Sequence, residues 1–146
     1  MSSTYKQGRI VLVLNGRFSG CKAAVIGNGQ DPKRQGFDSV YLIGIQEPPR
    51  KIVKKMNKKM IMQKSKIKVF LKNLNKNHLL PTRYTMDLGE ENNNKIKNIT
   101  NQYIQEKNFD NNQRIINKYQ KSLIKNLFLD KFLSGKNKWF FSKLRI

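Results

Sequence analysis

The sequence predicts an α+β fold: a small β-barrel or sandwich in the first half, a basic extended strap leaving it, and helices in the last third. Three observations predict this. Short apolar, partly β-branched runs alternate with glycine-rich turns up to the middle of the chain. Beyond Gly89 the apolar residues change to helical spacing. Between these regions, residues 48–86 carry 12 Lys and Arg and no Asp or Glu, where a freely solvated surface would intersperse both signs.

Taken in order, Ile10-Val11-Leu12-Val13-Leu14 is a strand ended by the turn pair Asn15-Gly16. Ala23-Ala24-Val25-Ile26 is a second strand, stopped by Gly27-Asn28-Gly29, and Val40-Tyr41-Leu42-Ile43-Gly44-Ile45 a third, stopped by Pro48-Pro49. Val69-Phe70-Leu71 and Arg83-Tyr84-Thr85-Met86 are positioned to close the barrel, with Asn77 to Pro81 in the connection. Segment 48–68 has too little periodic apolar content to fold alone and reads as an extended strap, with Met56, Met60 and Met62 filling gaps beneath it. Ile96, Ile99, Tyr103 and Ile104 mark a first helix. Ile116, Tyr119, Leu123 and Leu127, widened by Ile115, Ile124 and Phe128, mark a second. Asp110 with Gln113 has capping-box spacing, and Gly135 is a natural stop.

Composition narrows the function. Across 146 residues, 30 Lys and Arg face 9 Asp and Glu, a formal net charge of +21. Self-repulsion on that scale opposes the compact state unless a polyanion relieves it, so nucleic acid is the first partner class and a membrane surface the second. Cys21 and His78 are the single cysteine and histidine; internal disulfides and the usual Cys- or His-based metal sites are excluded. The longest apolar runs fall far short of the roughly 20 residues that span a bilayer. No base or carboxylate cluster supports His78 as a catalytic residue. Ser122-Leu123-Ile124-Lys125 and Gly27-Asn28-Gly29 lack the companion motifs of the enzymes they superficially match. No catalytic residue, metal or cofactor is expected.

The stretch from Gly8 through Asn15-Gly16-Arg17-Phe18-Ser19-Gly20-Cys21-Lys22 to Ile26 is a strand–loop–strand unit. It resembles the KOW motif of ribosomal and transcription-elongation proteins. Gly16 and Gly20 bracket its loop, where positive φ or close backbone approach is called for. Arg17 and Lys22 add charge, and Phe18 offers a ring that can pack or stack on a base. Further along stand the basic stretch from Lys58 to Lys68, the element Asn77-His78-Leu79-Leu80-Pro81-Thr82-Arg83-Tyr84, and Gly135-Lys136-Asn137-Lys138-Trp139-Phe140-Phe141-Ser142-Lys143-Leu144-Arg145-Ile146. Together these resemble the eukaryotic large-subunit ribosomal protein family L27e over nearly the whole chain, most weakly between Gly89 and Gln120. Cys21 stands where that family usually has a basic residue.

The resemblance implies an SH3-like KOW barrel over residues 1–88 that includes the strap 48–68, a helical extension over 89–134 and a basic-aromatic tail over 135–146. It implies a structural, non-enzymatic role on large-subunit ribosomal RNA, beside neighbouring ribosomal proteins, in the cytoplasm after assembly in the nucleus or nucleolus. Neither a membrane nor a small-molecule substrate is expected. The RNA-contacting residues it implies are Arg17 and Lys22 with Gly16 and Gly20 in the loop; Lys58, Lys59, Lys64, Lys66 and Lys68 in the strap; Arg83; and Lys136, Lys138, Lys143 and Arg145 in the tail. Arg50, Lys51, Lys54 and Lys55 extend the strap set on charge alone. The Trp139-Phe140-Phe141 rings can stack on unpaired bases or anchor the tail in a hydrophobic protein pocket; the pocket is favoured, since three adjacent rings cannot all face one way. Two readings compete: a KOW-domain regulator of elongation and a cationic membrane-surface protein. The acid-free strap argues against the first, and dense charge preceding rather than lining the helices argues against the second.

Overall fold

The structure, a computed structural model, describes residues 4–29, 38–109 and 118–144, and of 103–109 the backbone alone. Five strands, β1 (Arg9–Val13), β2 (Lys22–Gly29), β3 (Ser39–Glu47), β4 (Lys68–Asn75) and β5 (Leu79–Thr85), form one antiparallel sheet in the order β4-β3-β2-β1-β5. Among the described residues three helices complete the α+β architecture: α1 (Lys58–Lys64), α2 (Glu90–Phe109) and α3 (Lys118–Leu133).

Both faces of the sheet are buried, which explains the unbroken apolar runs of β1 to β3. Along each strand successive side chains alternate between two clusters. Val11, Val13, Ala23, Val25, Val40, Leu42, Phe70 and Leu79 form an inner cluster. Ile10, Ala24, Ile26, Tyr41, Ile43, Val69 and Leu71 turn the other way, into a cluster completed by Ile96 and Ile99 of α2, Ile124 and Phe128 of α3, and Phe140 and Phe141. Gly44 is fixed by this packing: a Cβ there would stand 2.5 Å from the Phe70 ring and 2.8 Å from the Lys22 carbonyl oxygen.

Four expectations are corrected. β4 and β5 lie at opposite edges of the sheet, joined through the single 3-10 turn Lys76–His78, and no ladder links them among the described residues; by its pairing the sheet is open. β5 begins at Leu79, ahead of the expected start, and accommodates Pro81 because an edge strand needs donors on one side only. The strap is not extended throughout. Asn57 caps α1 by accepting the Met60 N–H at 3.0 Å, and the Arg50 N–H donates to the Lys64 carbonyl at 2.8 Å, so the segment folds back on itself. Met60 and Met62 do not fill gaps: α1 buries no residue and they are 44% and 73% exposed, while Met56, ahead of the helix, is half-buried.

In the helical region Ile96, Ile99, Ile124 and Phe128 are buried as expected, but Tyr119 is exposed and Gln120 buried in its place. α3 ends before Gly135, at φ 74°. Ile115, Ile116 and the Asp110–Gln113 capping box lie outside the described residues, and nothing is described of the Tyr103 and Ile104 side chains.

Candidate nucleic-acid interface

Three motifs far apart in the sequence meet at one ring. The Lys22 ammonium, at the start of β2, stands 4.1 Å from the centroid of the Trp139 ring. The ring of Tyr84, near the end of β5, lies 4.8 Å from the same indole at an interplanar angle of 31°. Lys22 also donates to the carbonyl oxygens of Trp139 at 2.5 Å and Ser142 at 2.8 Å, and to the Ser142 hydroxyl at 3.1 Å. Beside Trp139, Phe141 packs edge-to-face on Phe140, on Phe128 and on Phe132 of α3, while Phe140 meets Phe128 at a tilt of 53°. The aromatic tail is therefore anchored in a hydrophobic pocket, and that pocket belongs to its own chain.

This arrangement changes the role of Lys22. Expected to face RNA, it is buried with 4% of its surface exposed. The cause is pleat parity: Lys22 and Ala24 share a face of β2, and Ala24 belongs to the cluster that the tail covers. Burial lowers the Lys22 pKa below the usual lysine value, but three oxygen acceptors and an aromatic face replace much of the lost hydration.

The loop between β1 and β2 keeps the geometry expected of it. Gly16 and Gly20 adopt φ of 91° and 81°, and a Cβ at either would meet no atom within 4 Å. The backbone at both positions faces open space, as close approach of a ligand requires. Phe18 packs instead of offering a free face. Its ring stacks on Phe70 at 4.1 Å and 7°, with Arg17 and Lys72 lying 5.5 and 5.4 Å from its centroid. Lys72 was not among the expected residues. Its signal was the strand alternation Lys68, Phe70, Lys72, which puts it on the face of Phe70 beside the loop. Cys21 is half-buried, and burial pushes its thiol pKa up; Lys22, turned to the tail, does not activate it.

The remaining cations lie on the surface. Arg17, Arg50, Lys51, Lys54, Lys55, Lys58, Lys59, Lys66, Lys68, Arg83, Lys136, Lys138 and Lys143 are exposed and Lys64 is half-buried, while Arg145 lies outside the described residues. Among the described residues there are two ion pairs, Lys68 with Glu47 at 2.9 Å and Lys76 with Asp38 at 3.7 Å. The Arg83 guanidinium lies 5.9 Å from the Tyr84 ring centroid. Almost the whole strap charge thus has no carboxylate partner within the described chain. His78 is exposed on the 3-10 turn, where its carbonyl accepts the Leu14 N–H at 2.9 Å.

The chain is a small α+β protein whose loop, strap and tail carry exposed cations, most without a carboxylate partner among the described residues. The model of the ribosomal L27e protein family matches residues 10–146. The chain is 35% identical over 147 residues to a large ribosomal subunit protein eL27 of Pyrobotrys stellatus, with 96% of each chain covered. It is 34% identical over 146 residues to a protein of the same description from Candida albicans, covering 99% of this chain and 98% of the other. The chain belongs to the ribosomal L27e protein family and is not an enzyme.

Proposed function

We propose that this chain is a structural constituent of the large subunit of the eukaryotic cytosolic ribosome, supporting translation by holding ribosomal RNA through the β1–β2 loop, the strap and the edge of the tail. The observation that carries this reading is the strap: its exposed cations from Arg50 to Lys66 have no ion-pair partner among the described residues. Phosphates supply the missing counter-charge, and each phosphate neutralised releases condensed counterions. Arg17 and Arg83 bridge phosphates bidentately, while the lysines act as point charges. Lys22 does not touch the RNA; it positions the tail from which Lys138 and Lys143 project. The open glycine-flanked loop and the cluster enclosed on one face of the sheet support an SH3-like, KOW-type character for residues 1–88. Neighbouring ribosomal proteins, a cytoplasmic location and nucleolar assembly follow from the same reading.

Sedimentation of a tagged copy in lysate tests it, with ribosomes washed in high salt and split into subunits. Stoichiometric retention on the large subunit is expected; release by the wash, or sedimentation with polymerase or membranes, overturns it. For the strap itself, replacing Lys58, Lys59, Lys64 and Lys66 by Gln reduces the slope of log K against log salt by roughly 0.7–0.9 for every phosphate that is no longer neutralised. An unchanged slope removes the strap from the interface.

A further inference from the structure

The β1–β2 loop, the end of β3 and the tail line an open cavity of about 240 Å³ beside Lys143. Buried Ile45 and Phe140 line it together with Cys21, Lys22 and Pro48, and the exposed Lys143 lines it from the tail. No carboxylate lines it; Ser19, Gln46 and Ser142 bring polar groups, and Ile45, Pro48 and Phe140 bring apolar surface. We propose that this cavity receives one unstacked nucleobase of the bound RNA, with Lys143 meeting the adjoining phosphate. The inference rests on the RNA-binding reading and adds to it a site for a single unpaired base.

Size, chemistry and charge converge on that occupant. The volume is below the roughly 300–1,000 Å³ of pockets for drug-sized ligands, and a helix about 10–12 Å across cannot enter. A planar ring needs apolar walls against its faces and a few donors and acceptors at its edge, which is how proteins take up single-stranded bases. A lining that includes lysine and no carboxylate favours a ligand that carries its own phosphate. The conformation of Gly20, with space where a Cβ would stand, leaves room for the sugar–phosphate backbone to approach.

Cys21, the single cysteine of the chain, makes the cavity testable. The full-length protein is capped with N-ethylmaleimide at alkaline pH, as the raised thiol pKa requires. Its affinity is then measured for an RNA hairpin with an unpaired loop and for a fully paired duplex of equal length, with Cys21→Ser treated identically as the control. The cap is expected to weaken hairpin binding about tenfold, as the loss of one held base would, and to leave duplex binding and Trp139 emission unchanged. Hairpin binding that is unaffected, or that falls no more than duplex binding, overturns the cavity and leaves the RNA reading standing. If the uncapped protein binds neither RNA, the RNA reading falls and this site with it.

Discussion

The ammonium of Lys22 stands 4.1 Å from the centroid of the Trp139 ring and donates to the carbonyl oxygen of the same residue at 2.5 Å. One lysine of the sheet thus grips both the side chain and the backbone of the tail, and a second carbonyl, that of Ser142, completes the hold. The charge is neutralised by dipoles and an aromatic face, with no carboxylate in the set, so the interaction resists salt better than an exposed ion pair would.

Replacement of Lys22 by Met keeps the aliphatic stem and removes the donors, leaving the two carbonyls without this partner. A loss of about 1–3 kcal/mol is expected. Trp139 is the single tryptophan, so its emission reports the tail directly. It is expected to shift to the red and lose anisotropy at denaturant concentrations where the rest of the fold survives.

The lowered pKa of Lys22 gives the fold a pH signature. Between that value and the ordinary lysine value of 10.5, the unfolded chain binds more protons than the folded one, so stability rises with pH across the window. Below it both states are protonated and the group contributes no slope. Denaturant titrations at a series of alkaline pH values are expected to show this added rise in the wild type and not in Lys22→Met, the difference removing the shared effect of the other lysines.

Gly44→Ala places a methyl group 2.5 Å from the Phe70 ring and 2.8 Å from the Lys22 carbonyl. The ring is held in turn by its stack on Phe18, so it cannot swing aside without opening the β1–β2 loop. A cost of about 1–3 kcal/mol is expected from overpacking. Thermal unfolding measures it, and Phe70→Leu in the same chain is expected to relieve part of it.

Helix α1 buries no side chain and has 7 residues, well below the roughly 12–15 at which isolated helices become even marginal in water. Its backbone amides are expected to exchange rapidly in the free protein and to become protected in the ribosomal particle. Asn57→Ala, which removes the cap, is expected to lower its residual helicity further without changing the global unfolding transition. Slow exchange of 58–64 in the free chain would contradict both expectations.

Strand identity was legible where apolar runs met turn residues, as in Ile10 to Leu14 before Asn15-Gly16. Pairing was less so, because the position of β5 depends on Pro81 lying at a sheet edge, a tertiary fact that a local rule against proline cannot register. Tyr119 and Gln120 exchange roles for a related reason: a one-residue rotation of α3 decides which faces the core, and a wide apolar stripe does not fix that rotation. The burial of Lys22 follows from pleat parity, which charge alone does not register. Counting by two from the buried Ala24 would have turned it away from the loop's open side. The exposed cations of the strap needed no tertiary information, since an acid-free segment offers them no partner within itself.

The two-sided sheet also sets a timetable. During synthesis the inner cluster has all its residues once Leu79 has emerged, but the opposite face lacks Ile124, Phe128, Phe140 and Phe141 until the last of them follows. For that interval a half-finished molecule presents Ile26, Ile43 and Leu71 bare, next to a densely cationic strap. Such a nascent chain attracts both chaperones, through its grease, and stray polyanions, through its charge. Arrival of the tail ends the vulnerability, making the late segment the step that separates a sticky precursor from a deliverable subunit.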